Sequence, residues 1–180
     1  MRGKSDRGER KRGRDNIILI GMPACGKSVT GVILAKSLKM NFLDTDLLIQ
    51  EKAGKGLQDI INQEGICIFK ELEESVLTSV DVENTVIATG GSAVYYDAAM
   101  EHLKQSGIVV YIEVSLPVIK KRLRNIKTRG VAMEKGQTID SLYRARVPLY
   151  RKYADLTVRS GRHVENTVED MMRALQDTGV

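Results

Sequence analysis

The length and composition of the chain favour one domain with a full core and exclude several functions. It has 180 residues, 42% of them hydrophobic, which is enough for a single folded domain. No run approaches the roughly 20 apolar residues of a membrane span. Aromatic residues make up 4% and tryptophan is absent, which argues against base stacking as the main binding device. Two cysteines and no apolar leader predict a reducing, cytoplasmic location.

The net charge of +5 comes mostly from the N-terminal end. Residues 1–15 hold seven Lys/Arg and three Asp/Glu, a net +4, whereas residues 16–180 hold 21 and 20, a net +1. We therefore predict a disordered basic arm at 1–15 and a single domain at 16–180. The alternative is an arm that contacts nucleic acid or a membrane surface. It is the weaker one, because the arm has neither aromatic residues nor a helical apolar stripe.

Five short apolar segments are predicted as strands, with helical patterns between and after them. The strands are predicted at 17–20, 41–46, 84–91, 107–114 and 154–158, and the helices at 27–40, 47–81 with a break at 53–56, 95–105, 117–126, 139–153 and 164–175. Strands that alternate with helices indicate a mainly parallel sheet with helices on both faces. Ligands of such sheets bind beyond the carboxyl ends of the strands. We therefore expect segments 21–28, 44–46 and 90–92 to share one rim.

The segment 21–28, GMPACGKS, fits the phosphate-binding pattern G-x-x-x-x-G-K-[ST] between a strand and a helix. Successive backbone N–H groups and the N-terminus of the helix favour a bound phosphate. Lys27 would reach the β- and γ-phosphates, and Ser28 would offer its hydroxyl to Mg²⁺. The loop residues predicted to contact ATP are Ala24, Cys25, Gly26, Lys27, Ser28 and Val29.

Two aspartates end the second predicted strand. Asp44 and Asp46 are two residues apart, so on an extended strand both would point to the same face, with Asp44 nearer a metal and Asp46 nearer an acceptor. The alternative is that Asp46 caps the following helix. The third strand ends in Thr-Gly-Gly instead of an aspartate, and no N-K-x-D occurs, which disfavours GTPases and motor ATPases.

Several motifs occur in an order that resembles the shikimate kinase family. They are GMPACGKS, FLDTDLLI, EGICIFKELE, ATGGSAV, a lid with TRG, and RVPLYRKYADLTV, and the similarity runs from about Asn16 to the C-terminus. The resemblance implies a P-loop NTPase-type three-layer α/β/α fold, with a five-stranded parallel sheet and a mobile lid at about 125–138, as in nucleoside monophosphate kinases. It implies that ATP and Mg²⁺ are used to convert shikimate to shikimate 3-phosphate, by a monomer without membrane or nucleic-acid partners.

The resemblance also implies how the acceptor is bound. Asp46 would hydrogen-bond the hydroxyls of shikimate and assist deprotonation of the attacking one. Lys70 and Arg146 would bind its carboxylate, and the backbone amides of Gly90 and Gly91 would approach its ring.

On the nucleotide side, the resemblance implies that Asp44 holds Mg²⁺ through water and that Arg122 lies near the adenine. Arg129, in the lid, would close over the phosphates. Lys27, Asp46 and Arg129 would thus be the catalytic residues.

The chain departs from the family pattern at three places, two on the acceptor side and one in the lid. Lys70 replaces an arginine, Ser92 replaces a third glycine, and the lid has TRGVA where the family usually has Arg-Pro-Leu. Lysine keeps the charge of arginine but loses its planar fork. These departures leave open a related kinase for another small hydroxy acid such as gluconate. A nucleotide-dependent nucleic-acid-binding module is a more distant alternative.

Some residues also have a simpler interpretation. Arg146 could be a solvated helix residue, and Lys70 could pair with Glu73 or Glu74 on its own helix. Cys67, between two isoleucines, is predicted to belong to the core.

Overall fold

The computed structural model describes residues 15–124, 133, 136–161 and 163–178. Within them, five strands form one parallel sheet in the order β2-β3-β1-β4-β5. The predicted α/β fold with a five-stranded parallel sheet is therefore confirmed. No helix within these ranges is long and apolar enough to cross a membrane.

The strands are short and follow the predicted apolar segments. They are β1 (Asn16–Ile20), β2 (Asn41–Asp44), β3 (Thr85–Ala88), β4 (Gly107–Glu113) and β5 (Leu156–Arg159). All of β1 and nearly all of β4 are buried. Central strands buried on both faces are expected to be continuous apolar runs instead of alternating ones.

The described residues also form eight α-helices and a short 3₁₀ helix. They are α1 (Lys27–Leu38), α2 (Thr45–Ala53), α3 (Leu57–Glu64), α4 (Ile66–Ser79), the 3₁₀ helix (Ala93–Tyr95), α5 (Asp97–Ser106), α6 (Leu116–Arg124), α7 (Ile139–Tyr153) and α8 (Val164–Gln176).

The helical stretch after β2 is divided twice. Gly54, with φ of 67°, ends α2, and Gly65, with φ of 92°, separates α3 from α4. Glycine adopts these positive φ values at little cost, whereas other residues are strained there. The predicted break at 53–56 is confirmed, while the sequence prediction has no break at Gly65.

Helix α4 contradicts one prediction about the core. Its buried face carries Phe69, Glu73, Val76 and Leu77, and Cys67 is exposed. At about 100° per residue, Cys67 lies about 200° around the helix from Phe69. The prediction that Cys67 belongs to the core is therefore wrong.

Candidate active site

Three neighbouring strands end at the predicted rim. β2, β3 and β1 are adjacent in the sheet, and their carboxyl ends lead into Asp44, Thr89 and Gly21 respectively. The rim predicted from the three polar segments is therefore present.

The phosphate-binding loop has backbone angles that most residues avoid. Gly21 has φ of 148° and Gly26, the N-cap of α1, has φ of 108°. A Cβ atom at Gly21 would lie 2.9 Å from the carbonyl oxygen of Ile112 and 3.0 Å from Cys25 Sγ. The loop therefore depends on glycine both for conformation and for space. Ala24, with φ of 63°, also takes a left-handed conformation.

Lys27 lies at the base of this loop and is buried. Its Nζ donates hydrogen bonds to the backbone oxygens of Gly21 at 2.8 Å and Met22 at 3.1 Å. Arg122 contacts the loop from α6, where Nη1 donates to the carbonyls of Ala24 at 3.2 Å and Cys25 at 3.1 Å. Two cations therefore converge on the loop.

Arg122 also lines a cavity on the outer side of the loop. Val29, on the exposed side of α1, lines it too, as do Ser160 and Gly161, which follow β5. The sequence prediction for the nucleotide side includes Arg122 and Val29 but not the turn after β5. The sequence could have predicted this turn as part of the site, because it follows the carboxyl end of a strand, where ligands of parallel sheets bind.

The two aspartates are arranged differently from the prediction. β2 ends at Asp44, and α2 begins at Thr45, so Asp46 lies in the first helical turn. The side chain of Asp44 caps this helix by accepting the N–H of Asp46 at 3.0 Å. The expectation that both carboxylates share one face of an extended strand is therefore wrong, as is the alternative in which Asp46 is the cap.

Asp46 and Arg146 nevertheless line one cavity, together with Lys27 and Ser28. They come from α2 and α7, about 100 positions apart in the chain. Arg146 is 2% exposed, so its alternative interpretation as a solvated helix residue is wrong. The two roles that the family resemblance implies, at the hydroxyls and at the carboxylate of one acceptor, require this convergence.

Gly90 and Gly91 form the wall between these two side chains. A Cβ atom at Gly90 would collide with the carboxylate of Glu73 and lie 3.0 Å from Asp46 Oδ1. One at Gly91 would lie 2.8 Å from Cδ of Pro23 and 3.0 Å from Arg146 Nη1. A side chain at Gly90 would therefore meet the carboxylates, and one at Gly91 would first meet the ring of Pro23.

The backbone amide of Gly90 is already used within the protein. It donates to Thr45 Oγ1 at 3.2 Å. This bond joins the β3 loop to the start of α2, and the approach of the glycine amides to an acceptor ring stays a prediction.

Two tyrosines fix the surroundings of Arg146. Its Nε donates to the hydroxyl of Tyr95 at 3.4 Å, and its guanidinium carbon lies 5.2 Å from the centre of that ring, a cation–π distance. The hydroxyl of Tyr150 donates to the carbonyl of Gly91 at 2.6 Å. The cation and the glycine wall are thus held by the same helix, α7.

Glu73 is a part of the cavity that the sequence prediction missed. It lines the cavity beside Asp46 and Arg146 and is fully buried. Its carboxylate accepts hydrogen bonds from Ser92 Oγ at 2.6 Å and from the hydroxyl of Tyr96 at 2.9 Å. Burial raises the pKa of Glu73, and the two hydroxyls oppose that shift.

Lys70 lies in an adjoining cavity instead of this one. That cavity shares Ser92 and Arg146 with the first and is also lined by Tyr95 and Tyr96. Lys70 therefore contributes a cation to the adjoining cavity, whereas Arg146 lines both. Of the two partners in the simpler interpretation, Glu73 is bonded to hydroxyls, and the pairing of Lys70 with Glu74 stays a prediction. Arg129 and most of the predicted lid at 125–138 lie outside the described residues.

The residues near the loop suit a magnesium ion carried by phosphates. In the ranges that the structure describes, no three His, Cys, Asp or Glu side chains group together as a metal site. Mg²⁺ commonly binds through substrate phosphates, waters and one or two protein oxygens. Ser28 supplies a hydroxyl in the cavity. Asp44 is not one of the residues that line this cavity, but it ends β2 at the same rim and has a second oxygen that its cap bond does not use.

Lys27 and Asp46 face the same space, so a phosphoryl group on the loop and an alcohol on the carboxylate would meet there. This arrangement, on a parallel sheet that carries a phosphate loop after β1, defines a P-loop kinase for a small molecule.

Comparison with known proteins identifies the family. A model of the shikimate kinase family matches residues 23–176. The shikimate kinase of Clostridium botulinum (strain Eklund 17B / Type B) is 32% identical over 163 residues, which cover 90% of this chain and 98% of that protein. The shikimate kinase from Acinetobacter baumannii, solved in complex with shikimate, has a TM-score of 0.83 and 31% identity, covering 93% of this chain and 96% of that one. The chain belongs to the shikimate kinase family.

Family membership confirms that the chain is an ATP-dependent small-molecule kinase that uses Mg²⁺. A gluconokinase from Sinorhizobium meliloti 1021 is also a structural neighbour, with a TM-score of 0.52 and 15% identity. That likeness shows the fold alone, so the shikimate kinase interpretation stands over the gluconate alternative.

Proposed function

We propose that this cavity transfers the γ-phosphoryl group of ATP to a hydroxyl of shikimate, which yields shikimate 3-phosphate and ADP. The observation that carries the proposal is that Lys27 and Ser28 line the same cavity as Asp46 and Arg146. The relative from A. baumannii binds shikimate, and this chain covers nearly all of it.

The loop binds the phosphates of ATP through its backbone N–H groups and the N-terminus of α1. Lys27 leaves the carbonyls of Gly21 and Met22 to neutralise the β- and γ-phosphates. Ser28 directly, and Asp44 through water, would hold Mg²⁺, which neutralises phosphate charge when bound. Arg122 contacts the nucleotide at the outer side of the loop, next to Val29.

Asp46 binds the hydroxyls of the acceptor and accepts the proton of the attacking one. Arg146 binds the acceptor's carboxylate with its planar fork, and Lys70 adds a second positive charge from the adjoining cavity. Gly90 and Gly91 leave room for the acceptor between the two groups.

Arg129 completes the proposed catalytic set. Its assignment depends on the family resemblance, because it lies outside the described residues. In this proposal it closes over the phosphates and excludes water from the transfer.

We also propose that the enzyme works as a monomer in the cytoplasm, where ATP is available. Light scattering coupled to size-exclusion chromatography tests the monomer.

Coupled measurement of ADP release tests the function. With ATP and Mg²⁺, we expect shikimate to start ADP release and gluconate to leave it at the background rate. ADP release with gluconate but not with shikimate would reject the proposal.

A further inference from the structure

The buried carboxylate of Glu73 has two hydroxyl partners outside its own helix. Ser92 Oγ lies 2.9 Å from Oε1 and 2.6 Å from Oε2, and the hydroxyl of Tyr96 lies 2.9 Å from Oε2. Ser92 follows the glycine wall, and Tyr96 directly precedes α5. We call these three side chains the Glu73 network.

A buried charge is costly unless hydrogen bonds and opposite charges compensate for it. The charged groups that face Glu73 are Asp46 from α2, which opposes its ionisation, and Arg146 from α7, which favours it. Lys27 also lines the cavity, from the start of α1. Two hydroxyls donate one hydrogen each to this carboxylate, Tyr96 to Oε2 and Ser92 within reach of both oxygens. Together with the positive charge of Arg146, they favour the anion.

The network also gives the cavity two unlike ends. Glu73 and Asp46 both approach Gly90, whereas Arg146 approaches Gly91. An acceptor that carries a carboxylate is repelled from the first end and attracted to the second, while its hydroxyls can donate to the anionic end.

We propose that Ser92 and Tyr96 are positioning residues that hold Glu73 as an anion beside Asp46, so that the acceptor enters with its hydroxyls toward Asp46 and its carboxylate toward Arg146. Ser92 is one of the departures from the family pattern, and a glycine there would supply no hydroxyl. This inference rests on the proposed function, because it concerns the orientation of the same acceptor.

Kinetics of Ser92→Ala and Tyr96→Phe test the positioning role. Each variant should raise the KM for shikimate about tenfold, as expected for a hydrogen bond to a charged group, and leave the KM for ATP within about twofold. Tyr153→Phe is the matched control, because it removes a tyrosine hydroxyl from the carboxylate of Asp97 outside the cavity. Its KM values should match those of the parent.

A double-mutant cycle between Ser92 and Glu73 distinguishes a positioning role of the hydroxyl from a general contribution to the fold. In a Glu73→Gln background, Ser92→Ala should change the KM for shikimate by less than about twofold, because the anion that it positions is gone. Effects that multiply in the double variant, or equal increases in both KM values, would show that the hydroxyl supports the fold and would overturn the inference.

The inference also predicts how the pH dependence of kcat/KM for shikimate changes in the hydroxyl variants. The hydroxyls lower the pKa of Glu73, while burial and Asp46 raise it. Removal of both hydroxyls therefore raises the pKa of Glu73 further. Glu73 is then protonated at a higher pH than in the parent, and activity that needs the anion is lost at that higher pH. The acid limb of kcat/KM for shikimate should move upward in Ser92→Ala/Tyr96→Phe, and an unmoved limb would contradict the inference.

A titration of glutamate carboxyl carbons by NMR tests the network without catalysis. The signal of Glu73 is the one missing in Glu73→Gln, and its midpoint should rise in the double hydroxyl variant. An unchanged midpoint overturns the inference even if the enzyme is active. If the parent shows no shikimate-dependent ADP release, the proposed function and the orientation of shikimate both fail, while the titration still decides whether the hydroxyls hold Glu73.

Discussion

The phosphate loop and the acceptor end of the cavity are built from different parts of the chain. The loop uses the backbone of one continuous segment, 21–28, at the start of α1. The acceptor end uses side chains from three helices, with Asp46 on α2, Glu73 on α4 and Arg146 on α7.

This difference determines which residues can change. Gly21 and Gly26 have positive φ, and Gly21 has no room for a Cβ atom, so the loop tolerates few substitutions. At the acceptor end, Ser92 supplies a hydroxyl to a neighbouring carboxylate, and Lys70 supplies a charge from the adjoining cavity. Two of the three departures from the family pattern, Lys70 and Ser92, fall in this second region.

The largest expected effect comes from Asp46→Asn, which keeps the shape of the side chain and removes its basicity. We expect kcat to fall by about 10³-fold or more, because proton transfer contributes roughly 10²- to 10⁴-fold and the acceptor also loses a charged partner. ATP binding, measured by calorimetry, should persist because the loop is untouched. Asp59→Asn, in the first turn of α3, is the control, and normal turnover in Asp46→Asn would remove Asp46 from the mechanism.

The second largest effect is expected from Arg146→Ala, which should affect the acceptor end and leave the phosphate loop nearly unchanged. We expect the KM for shikimate to rise by about 10²-fold, because a bidentate charged contact is lost, with a much smaller change in the KM for ATP. Arg144→Ala, an exposed arginine on the same helix, should behave like the parent. Equal increases in both KM values would place Arg146 away from the acceptor.

The spacing of apolar residues and the positions of glycines predicted most of the fold, because both reflect the local preferences of the backbone. The predicted helix at 139–153 has the observed bounds, and the apolar runs of β1 and β4 identified buried parallel strands. The boundary between β2 and α2 was misplaced, since the side chain of Asp44 starts the helix before the strand pattern ends.

The acceptor end was harder to predict because its contacts join distant segments. Glu73 has a charged neighbour three positions earlier, which suggested a surface pair. A better signal was its spacing from Phe69, Val76 and Leu77, which places it on the buried face of α4. Its partners, Ser92 and Tyr96, follow about 20 positions later, and sequence spacing alone does not show that contact.

Arg122→Ala tests the nucleotide side and should change the KM for ATP instead of the KM for shikimate, which is the reverse of Arg146→Ala. Loss of the contacts to the carbonyls of Ala24 and Cys25 and of a positive charge should raise the KM for ATP about tenfold. The KM for shikimate should stay within about twofold. Arg173→Ala, an exposed arginine on α8, is the control, and a change mainly in the KM for shikimate would contradict the division of the cavity into two regions.

Lys70→Arg has the smallest expected effect. It tests whether the acceptor end still fits the arginine that the family pattern has at this position. Arginine restores the planar fork that lysine lacks, and one added charge-assisted bond of about 1.5–3 kcal/mol would lower the KM for shikimate by up to about tenfold if part of it is realised. The adjoining cavity also contains Tyr95 and Tyr96, whose hydroxyls hold Arg146 and Glu73. A bulkier guanidinium can displace them, so a lower KM would show that the adjoining cavity has room for the planar fork. A higher KM for shikimate in Lys70→Arg would show that the acceptor end is arranged around the lysine.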